Sequence, residues 1–552
     1  MSHTSSIFSR TPIELPNRSG FDMSHENLGT ATCGTLVPVL VDELLPNDTI
    51  SLGANFQVQL PPMATDFYGR VDMVLEAFFV PARLLWGGWK SFMTHPTANP
   101  TYPANTPVQG RSKYMPEVNF RLDNAESAPF LDSGSLADYL GFKGFTVDST
   151  VSGAYSSFNA LPFLAYHRIW DDWYRDSRIQ APLFYAPDSS VPSSQLTGVD
   201  IANKANPSYA PFVSGGVDAP IYYDLTERRT DYSFVDGSAL GDLRQRNWSK
   251  DYFTSASPLP QAGNAATLEF DVDNNTGTFS IAALRSANSL QKWMERNNIM
   301  GYRYADQIFG QYGCYPSDAI MDKCLYLGRV SQNIYTRSVF QTVLSGVASN
   351  NPYKTVGTKY GSSQAVGEGS LVDNIRVKEH GFLFVLASLV PHSYYSSGCR
   401  RYLKRSVVGD IAFPLLSGMG EQAIKTYELD SSWIAAPNSV FGYTDLYAEY
   451  KYHDDEVHGL LRDGESLQAF ALQRSFTDPT NEVQLSSDFL QIPKDYLDQV
   501  YATSQALSGF SCWYDIFFPY KKISTLPEYS IPTLGDLKNV HTKNVSRGGT
   551  RL

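Results

Sequence analysis

The chain has 552 residues, a length that allows several average domains or one heavily elaborated domain. Of these residues 18% are charged and 13% aromatic, and the formal net charge is −12 at pH 7. A chain this poor in charge and rich in aromatic residues is typical of proteins with large sheets or subunit contacts, although monomeric enzymes share this composition. No stretch approaches the roughly 20 apolar residues that span a bilayer, and residues 1–6 lack the features of a signal peptide, so we expect a soluble protein that is made in the cytoplasm and is not inserted in a membrane.

Three apolar segments predict β-strands near the beginning, in the middle and near the end of the chain. Residues 71–79 alternate with a period of two before Pro81 ends the run. Residues 382–387 are apolar at every position, which is typical of a central strand buried on both faces. Residues 510–518 alternate again before Pro519. Strands from all three regions must therefore share one core.

Two segments have the periodicity of an amphipathic helix. In residues 161–180, aromatic residues recur every three or four positions and predict the buried face: Phe163, Tyr166, Trp170 and Trp173. Charged residues are expected on the rest of the surface: Arg168, Asp171, Asp172, Arg175 and Asp176. A second helix is predicted over 280–309, with Ser280 as N-cap and an interruption at Gly301. Its apolar face consists of Ile281, Leu284, Ala287, Leu290 and Met294.

Long passages rich in Ser, Gly, Asn and Pro, at 186–220 and 345–374, predict loops between these elements. Loops of that length usually carry function or interactions. Strands far apart in sequence, combined with large insertions, favour a mainly β fold, and a jelly roll with elaborated connections fits best.

The residues point to no catalytic, cofactor or metal chemistry. Nucleotide-binding loops, zinc-protease and serine-hydrolase motifs are absent from the sequence. The best metal candidate is the segment His453–His458, but strand alternation would divide its ligands between two faces, so a solvated turn is favoured. The five cysteines are far apart and are expected to be reduced; a Cys314–Cys324 disulfide is disfavoured by cytoplasmic assembly. We therefore expect a protein that is not an enzyme and binds neither cofactor nor metal.

Several sequence blocks, in a fixed order, resemble one known family. They are Phe21–Glu26, Leu45–Thr49, Glu76–Trp86, Leu161–Gln180, Lys250–Gln261, Ala283–Arg285 with Gln291–Lys292 and Glu295–Arg296, Glu379–Phe382, Gly420–Gln422, and Phe441–Tyr443 with Ala448–Tyr450. Together they resemble the major capsid proteins of the Microviridae, small single-stranded DNA phages, and the gokushovirus group in particular. The block Lys250–Gln261 is the most specific. Asn47 and Leu259 depart from the usual Gly and Trp, and the resemblance extends from about residue 21 to 536.

The resemblance implies a single capsid domain over 1–552 with an eight-stranded viral jelly roll. We expect its core strands in about 30–85, 375–455 and 505–520, and elaborated insertions in about 86–374 and 456–504. It also implies a structural coat protein that self-assembles, through pentameric intermediates, into a T = 1 icosahedral shell around circular single-stranded DNA. In gokushoviruses one insertion forms threefold protrusions used for host attachment; 186–220 and 261–278 are the candidates.

The net charge and the family together imply further partners. A shell of this charge cannot neutralise packaged DNA alone, so a small basic DNA-binding protein is expected. The resemblance adds an internal scaffolding protein, a DNA pilot or minor capsid protein, and a host cell-surface receptor. It places the protein in the virion, after assembly in the cytoplasm of the host bacterium. The alternative is a β-rich carbohydrate-binding protein or glycoside hydrolase, for which we recognise no acid pair.

The C-terminal segment 537–552 is basic and has no acidic residue. Its cations are Lys538, Lys543, Arg547 and Arg551. One interpretation is a flexible tail without a specific role. The other is an arm that contacts packaged DNA or a neighbouring subunit on the inner surface of the shell, because flexible cationic segments bind phosphate without reading sequence.

Overall fold

In the computed structural model, the described residues fall into blocks separated by gaps. They are 10–15, 18–63, 67–85, 117–121, 133–142, 155–180, 243–260, 322–340, 359–431, 438–476, 482–502, 509–528 and 541–546, with isolated positions such as 89, 93, 241 and parts of 285–313. All structural statements below refer to these residues.

Strands dominate the described part of the chain, and the helices are short. The strands are β1 (Arg10–Leu15), β2 (Ser19–Asp22), β3 (His25–Ala31), β4 (Val37–Leu44), β5 (Thr49–Gln59), β6 (Val71–Pro81), β7 (Glu117–Arg121), β8 (Tyr155–Asn159), β9 (Leu325–Asn333), β10 (Tyr335–Phe340), β11 (Lys359–Arg376), β12 (Gly381–Pro391), β13 (Glu421–Lys425), β14 (Val440–Asp445), β15 (Cys512–Phe518), β16 (Tyr520–Ser524) and β17 (His541–Ser546). The α-helices are α1 (Ala82–Leu85), α2 (Leu136–Tyr139), α3 (Ala160–Ile169), α4 (Thr426–Leu429) and α5 (Ser487–Leu490), and a π-helix, Trp170–Tyr174, continues α3. Short 3₁₀ helices are Arg401–Lys404, Val408–Asp410, Pro414–Met419, Ala448–Tyr450, Gly459–Leu461, Gln468–Phe470 and Tyr496–Gln499.

Eleven of these strands form two antiparallel sheets, and eight of the eleven, four in each sheet, make up the core. Sheet 1 has the order β11-β5-β15-β3, with β10 outside β11, and with β16 and β2 extending β15 and β3. Sheet 2 has the order β4-β12-β6-β9. Along the chain, β3, β5, β11 and β15 lie in sheet 1, whereas β4, β6, β9 and β12 lie in sheet 2. This alternation between two four-stranded sheets is that of a jelly roll, so the predicted fold class is confirmed.

The main core lies between the two sheets. Alternate residues of β5, from Ile50 to Val58, are buried, as are alternate residues of β15 from Cys512 to Phe518. Both sets belong to one apolar cluster with residues of sheet 2, including Met73 and Val385. The period-two pattern predicted for 510–518 is therefore confirmed, because one face of sheet 1 packs on sheet 2 and its other face is more open.

The outer face of sheet 2 is covered by α3 and the π-helix. Phe78 of β6 and Phe384 of β12 lie in one apolar cluster with Phe163, Tyr166 and Trp170. All eleven residues of β6 and of β12 are consequently buried. The continuous apolar run at 382–387 is thus a central strand covered on both faces, as predicted.

The helix predicted over 161–180 is present from Ala160 to Tyr174, but residues 175–180 are not helical and the predicted exposure of its charged side chains is wrong. The predicted surface residues Asp171, Asp172 and Asp176 are all buried. The wider π-helical turn shifts positions after Trp170 from the 3.6-residue period, and the buried carboxylates are paired with arginines. Trp173, predicted to be buried, is 41% exposed for the same reason.

The predicted loop at 345–374 is wrong for its second half. Residues 359–376 form β11, an 18-residue strand between β10 and β5. Its glycines are packing positions: a Cβ on Gly367 would lie 2.5 Å from the Phe56 ring, and one on Gly369 would lie 2.7 Å from Val330. A Gly-rich and Ser-rich composition therefore indicated close contact between strands rather than a loop.

Other expectations lie partly outside the described residues. Two core strands, β9 and β11, fall in 86–374, the range expected to be insertion. The candidate protrusions at 186–220 and 261–278 lie outside the described residues, as do Ser280 and Gly301. In the predicted helix over 280–309, parts of 285–293 are helical, but Leu290 of its apolar face is 50% exposed.

Two further findings concern the cysteines and the helices. Cys33, Cys324, Cys399 and Cys512 are free thiols, and Cys314 lies outside the described residues. Among the helices of the described ranges, none is long and apolar enough to cross a membrane.

Candidate functional site

The cations of the C-terminal segment were the predicted site residues. Lys543 lies in β17, where it pairs with Ile13 of β1. Lys538, Arg547 and Arg551 lie outside the described residues. The first and last described segments of the chain thus form a two-stranded antiparallel ribbon, and residues 541–546 are a strand within the basic segment.

The metal candidate His453–His458 is organised by an arginine. The Arg400 guanidinium lies 3.0 Å from His453 Nδ1 and donates from Nε to Glu456 Oε1 at 2.7 Å, while His458 Nε2 is 3.0 Å from the other oxygen of Glu456. Within the described ranges, no three His, Cys, Asp or Glu side chains are grouped so that they could hold a metal ion.

The segment around Glu456 is extended rather than the predicted turn, although His453, Asp455 and His458 are exposed to solvent. Its backbone runs alongside Tyr395, whose N–H donates to Asp455 O at 2.8 Å and whose carbonyl accepts from Val457 N at 3.0 Å. Asp454 is partly buried beneath this pairing. Burial, reinforced by the nearby Asp251, raises the pKa of Asp454 to about 7.

The first part of the most specific sequence block, residues 250–254 of 250–261, forms a tight turn around the buried carboxylate of Asp251. Oδ1 accepts hydrogen bonds from the N–H of Phe253 at 3.0 Å and from the N–H and hydroxyl of Thr254 at 2.8 and 2.9 Å. Oδ2 accepts from the hydroxyls of Ser393 and Tyr395, both at 2.8 Å. One carboxylate therefore fixes the turn and attaches it to the chain that leaves β12.

The aromatic residues of the same block extend this attachment. Tyr252 donates from its hydroxyl to Glu428 Oε2 at 2.9 Å, and burial raises the pKa of Glu428 above its usual range. Phe253 packs against Tyr395 and Phe441, with ring centroids 4.9 and 6.3 Å apart. Together these residues join the turn to α4 and β14 through a third apolar cluster.

A second buried carboxylate, Glu76, lies in the middle of β6. Its Oε2 accepts from the hydroxyl of Tyr174 at 2.6 Å and from Arg246 at 2.7 Å. Arg246 also donates to Ser388 of β12 at 3.0 Å, and burial raises the pKa of Tyr174 well above its usual value. This polar group connects the π-helix to the outer face of sheet 2.

A third carboxylate, Asp176, follows the π-helix. It accepts from Lys250 at 2.5 Å and from Arg178 at 3.0 Å. Burial acts to raise the pKa of Asp176, but the two cations outweigh it, so this pKa lies well below its usual range.

These polar clusters carry no arrangement for catalysis. Glu76, Asp176 and Asp251 accept hydrogen bonds from side-chain or backbone donors, and each has at least one donor from a distant segment. Buried charges of this kind fix the relative position of the elements they join. Sequence spacing did not reveal them, because their partners lie 98 residues away for Glu76 and Tyr174 and 144 for Asp251 and Tyr395. The family blocks did mark Glu76 and Asp251.

The comparisons with known proteins agree with this picture. A sequence profile of the phage family described as "Capsid protein (F protein)" matches residues 9–534. The chain belongs to this family. Its members include structural coat proteins of phages, so the predicted resemblance to Microviridae capsid proteins is confirmed.

Three relatives in this capsid family extend over nearly the whole chain. "Capsid protein VP1" of Chlamydia phage 1 is 26% identical, over 96% of this chain and 97% of the relative. The proteins of the same name from Bdellovibrio phage phiMH2K and Spiroplasma virus 4 are each 24% identical, over 86% and 94% of this chain and 88% and 95% of the relatives. The protein is therefore a coat protein of the virion that self-assembles into a shell and is not an enzyme.

Proposed function

We propose that this coat protein forms a T = 1 icosahedral shell of identical subunits around a circular single-stranded DNA genome. The observation that carries the proposal is the eight-stranded jelly roll, within a chain that matches the capsid family over 9–534. Identical subunits close into a shell through heterologous contacts around symmetry axes. Pentamers are the expected intermediates.

Expression of the full chain, alone and with the internal scaffolding protein of the same virus, tests this proposal. Light scattering after size-exclusion chromatography and electron microscopy should show uniform icosahedral particles or pentamers. Particles of a larger triangulation number would contradict the T = 1 shell, and a monomer under both conditions would contradict self-assembly by this route.

The proposal includes contact between the basic C-terminal segment and packaged DNA, by Lys538, Lys543, Arg547 and Arg551. It is supported by the charge of the segment, which is opposite to the chain's net charge of −12. Because β17 lies within this segment, deletion would also remove a strand. Replacement of the four cations by Gln is the better test: particles should form in normal yield but retain less DNA. Unchanged DNA content would refute this role.

The remaining partners follow from the same proposal. A small basic DNA-binding protein is needed because the shell itself is acidic, and a DNA pilot or minor capsid protein is expected in the particle. Mass spectrometry of purified virions tests both. We also propose assembly in the host cytoplasm and attachment to a host receptor through 186–220 or 261–278. Deletion of the responsible insertion should abolish cell binding while particles still form.

A further inference from the structure

The segment from Arg400 to Leu416 has an unusual division between half-buried arginines and exposed apolar side chains. Eight large apolar residues within it are 39–95% exposed: Tyr402, Leu403, Val407, Val408, Ile411, Phe413, Leu415 and Leu416. We call these eight residues the apolar ledge. Leu415, at 95%, is almost completely exposed. Single exposed apolar residues are ordinary, but a continuous group of this size marks an interaction site.

The arginines of the same segment point toward the body of the subunit. Arg400 pairs with Glu456 at 2.7 Å, and Arg405 pairs with Glu449 at 3.0 Å. Arg401 donates to the carbonyl of Ala423 at 3.0 Å. The charged side chains therefore anchor the segment, and the apolar side chains are left facing solvent.

The backbone of the ledge is held in place as well. Asp410 accepts hydrogen bonds from the N–H groups of Ser406 and Val407 at 2.8 and 3.0 Å. The N–H of Phe413 donates to the hydroxyl of Tyr447 at 3.3 Å. A surface that is ordered before binding loses less conformational entropy when it binds, which favours association.

The composition of the ledge restricts the kind of partner. Between residues 406 and 416 Asp410 is the single charged residue, and its carboxylate is occupied by its own backbone. Nucleic acid is a poor candidate, because DNA binding requires cations directed at phosphate. Depletion of charge and enrichment of aliphatic and aromatic residues are typical of the core of a protein–protein interface.

The exposed area fits a contact between subunits. Eight side chains of this exposure present on the order of 900 Å² of surface, close to the roughly 800 Å² that each partner buries in a standard interface. We propose that the apolar ledge is a contact through which one copy of this chain binds a second copy in the shell. This inference rests on self-assembly of the coat protein, and Leu415, the most exposed residue of the ledge, is the side chain we expect to be buried most by the contact.

Charge substitutions in otherwise intact subunits test the proposal. Leu415→Asp and Val408→Asp should each lower the yield of particles roughly tenfold or more, because a carboxylate would be buried without a partner at the contact. Leu28→Asp is the matched control: Leu28 is 72% exposed, as Val408 is, but lies in β3. Its particle yield should stay near that of the wild type. Circular dichroism and thermal melting of the dissociated subunits should be unchanged in all three variants.

Several outcomes would overturn the proposal. They are wild-type particle yield from both ledge variants, particles that assemble normally but lose host binding or a minor protein, and an equal loss of assembly in Leu28→Asp. Failure of the wild-type chain to form particles would instead count against the proposed shell itself, so the two failures are distinguishable.

Chemical protection provides a second readout that does not depend on loss of function. In Leu415→Cys, a bulky maleimide reagent should label residue 415 in dissociated subunits but not in intact particles. Wild-type protein measures background labelling, since Cys33, Cys324 and Cys512 are buried and Cys399 is partly buried. Equal labelling in subunits and particles would place residue 415 on a free surface and refute the contact.

Discussion

Replacement of Asp251 by Ala should destabilise the subunit strongly without any direct effect on subunit contacts. The substitution removes one acceptor group that serves five hydrogen bonds, from Phe253, Thr254, Ser393 and Tyr395. A buried hydrogen bond contributes roughly 1 kcal/mol net, and donors left without a partner cost more. Since water will replace some of the lost bonds, we expect a loss of about 3–5 kcal/mol in the free energy of unfolding.

The neighbouring carboxylate of Asp454 makes this loss depend on pH. Repulsion from Asp251 contributes to the raised pKa of Asp454, about 7, so removal of Asp251 relieves that repulsion when Asp454 is ionised. The destabilisation by Asp251→Ala should therefore be larger at pH 5, where folded Asp454 is mostly protonated, than at pH 8.

Denaturant unfolding of dissociated subunits, followed by intrinsic fluorescence at pH 5 and pH 8, measures these effects. Asp251→Asn keeps one acceptor oxygen and should lose less than Asp251→Ala. Tyr395→Phe removes the hydroxyl that bonds Asp251, so a loss of about 1 kcal/mol is expected. If Asp251→Ala stayed within about 1 kcal/mol of the wild type at pH 5, the carboxylate would not hold the turn and the reasoning would be wrong.

Three other substitutions have definite expected outcomes. Asp454→Asn should raise the thermal midpoint at pH 8 and have no effect below pH 4, because the raised pKa of Asp454 makes the stability of the wild type fall between about pH 4 and 7. Asp455→Asn, at an exposed position, is the control. An equal gain for Asp454→Asn at both pH values would contradict this assignment. Gly328→Ala should lower the yield of soluble, folded subunit, since the new Cβ would overlap a backbone carbonyl of β11. Gly20→Ala should leave that yield unchanged, since no heavy atom lies within 4 Å of its new Cβ. Trp170→Ala should cost about 3–5 kcal/mol in denaturant unfolding, since the indole is 1% exposed under sheet 2; a loss below about 1 kcal/mol would mean that the helix does not cover the sheet tightly.

Local patterns were sufficient to predict three of the eight core strands, β6, β12 and β15. The alternation at 510–518 and the apolar run at 382–387 each reflect burial that is set by the position of a strand within its sheet. The helix at 161–180 was equally clear, because its aromatic residues face sheet 2.

The sequence patterns were less informative where packing between distant segments decides the structure. Residues 359–374 have the composition of a loop, yet they form a strand because Phe56 and Val330 occupy the space beside Gly367 and Gly369. The acidic residues of 171–176 have the spacing of a solvated face, yet they are buried, because Arg168, Arg175 and Lys250 pair with them. Neither effect is contained in local periodicity.

The candidate site was predicted only in part. The four C-terminal cations were identified by their charge alone, and of these Lys543 is placed, in β17. The apolar ledge was not predicted, since 400–416 combines apolar residues with arginines and has no regular period. Only the direction of those arginines toward Glu449 and Glu456 distinguishes this surface from an ordinary segment.

The position of β15 and β16 in sheet 1 has a consequence for synthesis of the protein. β15 lies between β3 and β5, with Cys512 paired to Ala31 and Trp513 to Gln59, and β16 lies between β2 and β5. The strands β2, β3 and β5 are all made first. A nascent chain on the ribosome therefore cannot complete sheet 1 until nearly all of it has been translated. We expect the subunit to reach its assembly-competent form only after release, and prematurely terminated chains that lack β15 to be excluded from the shell.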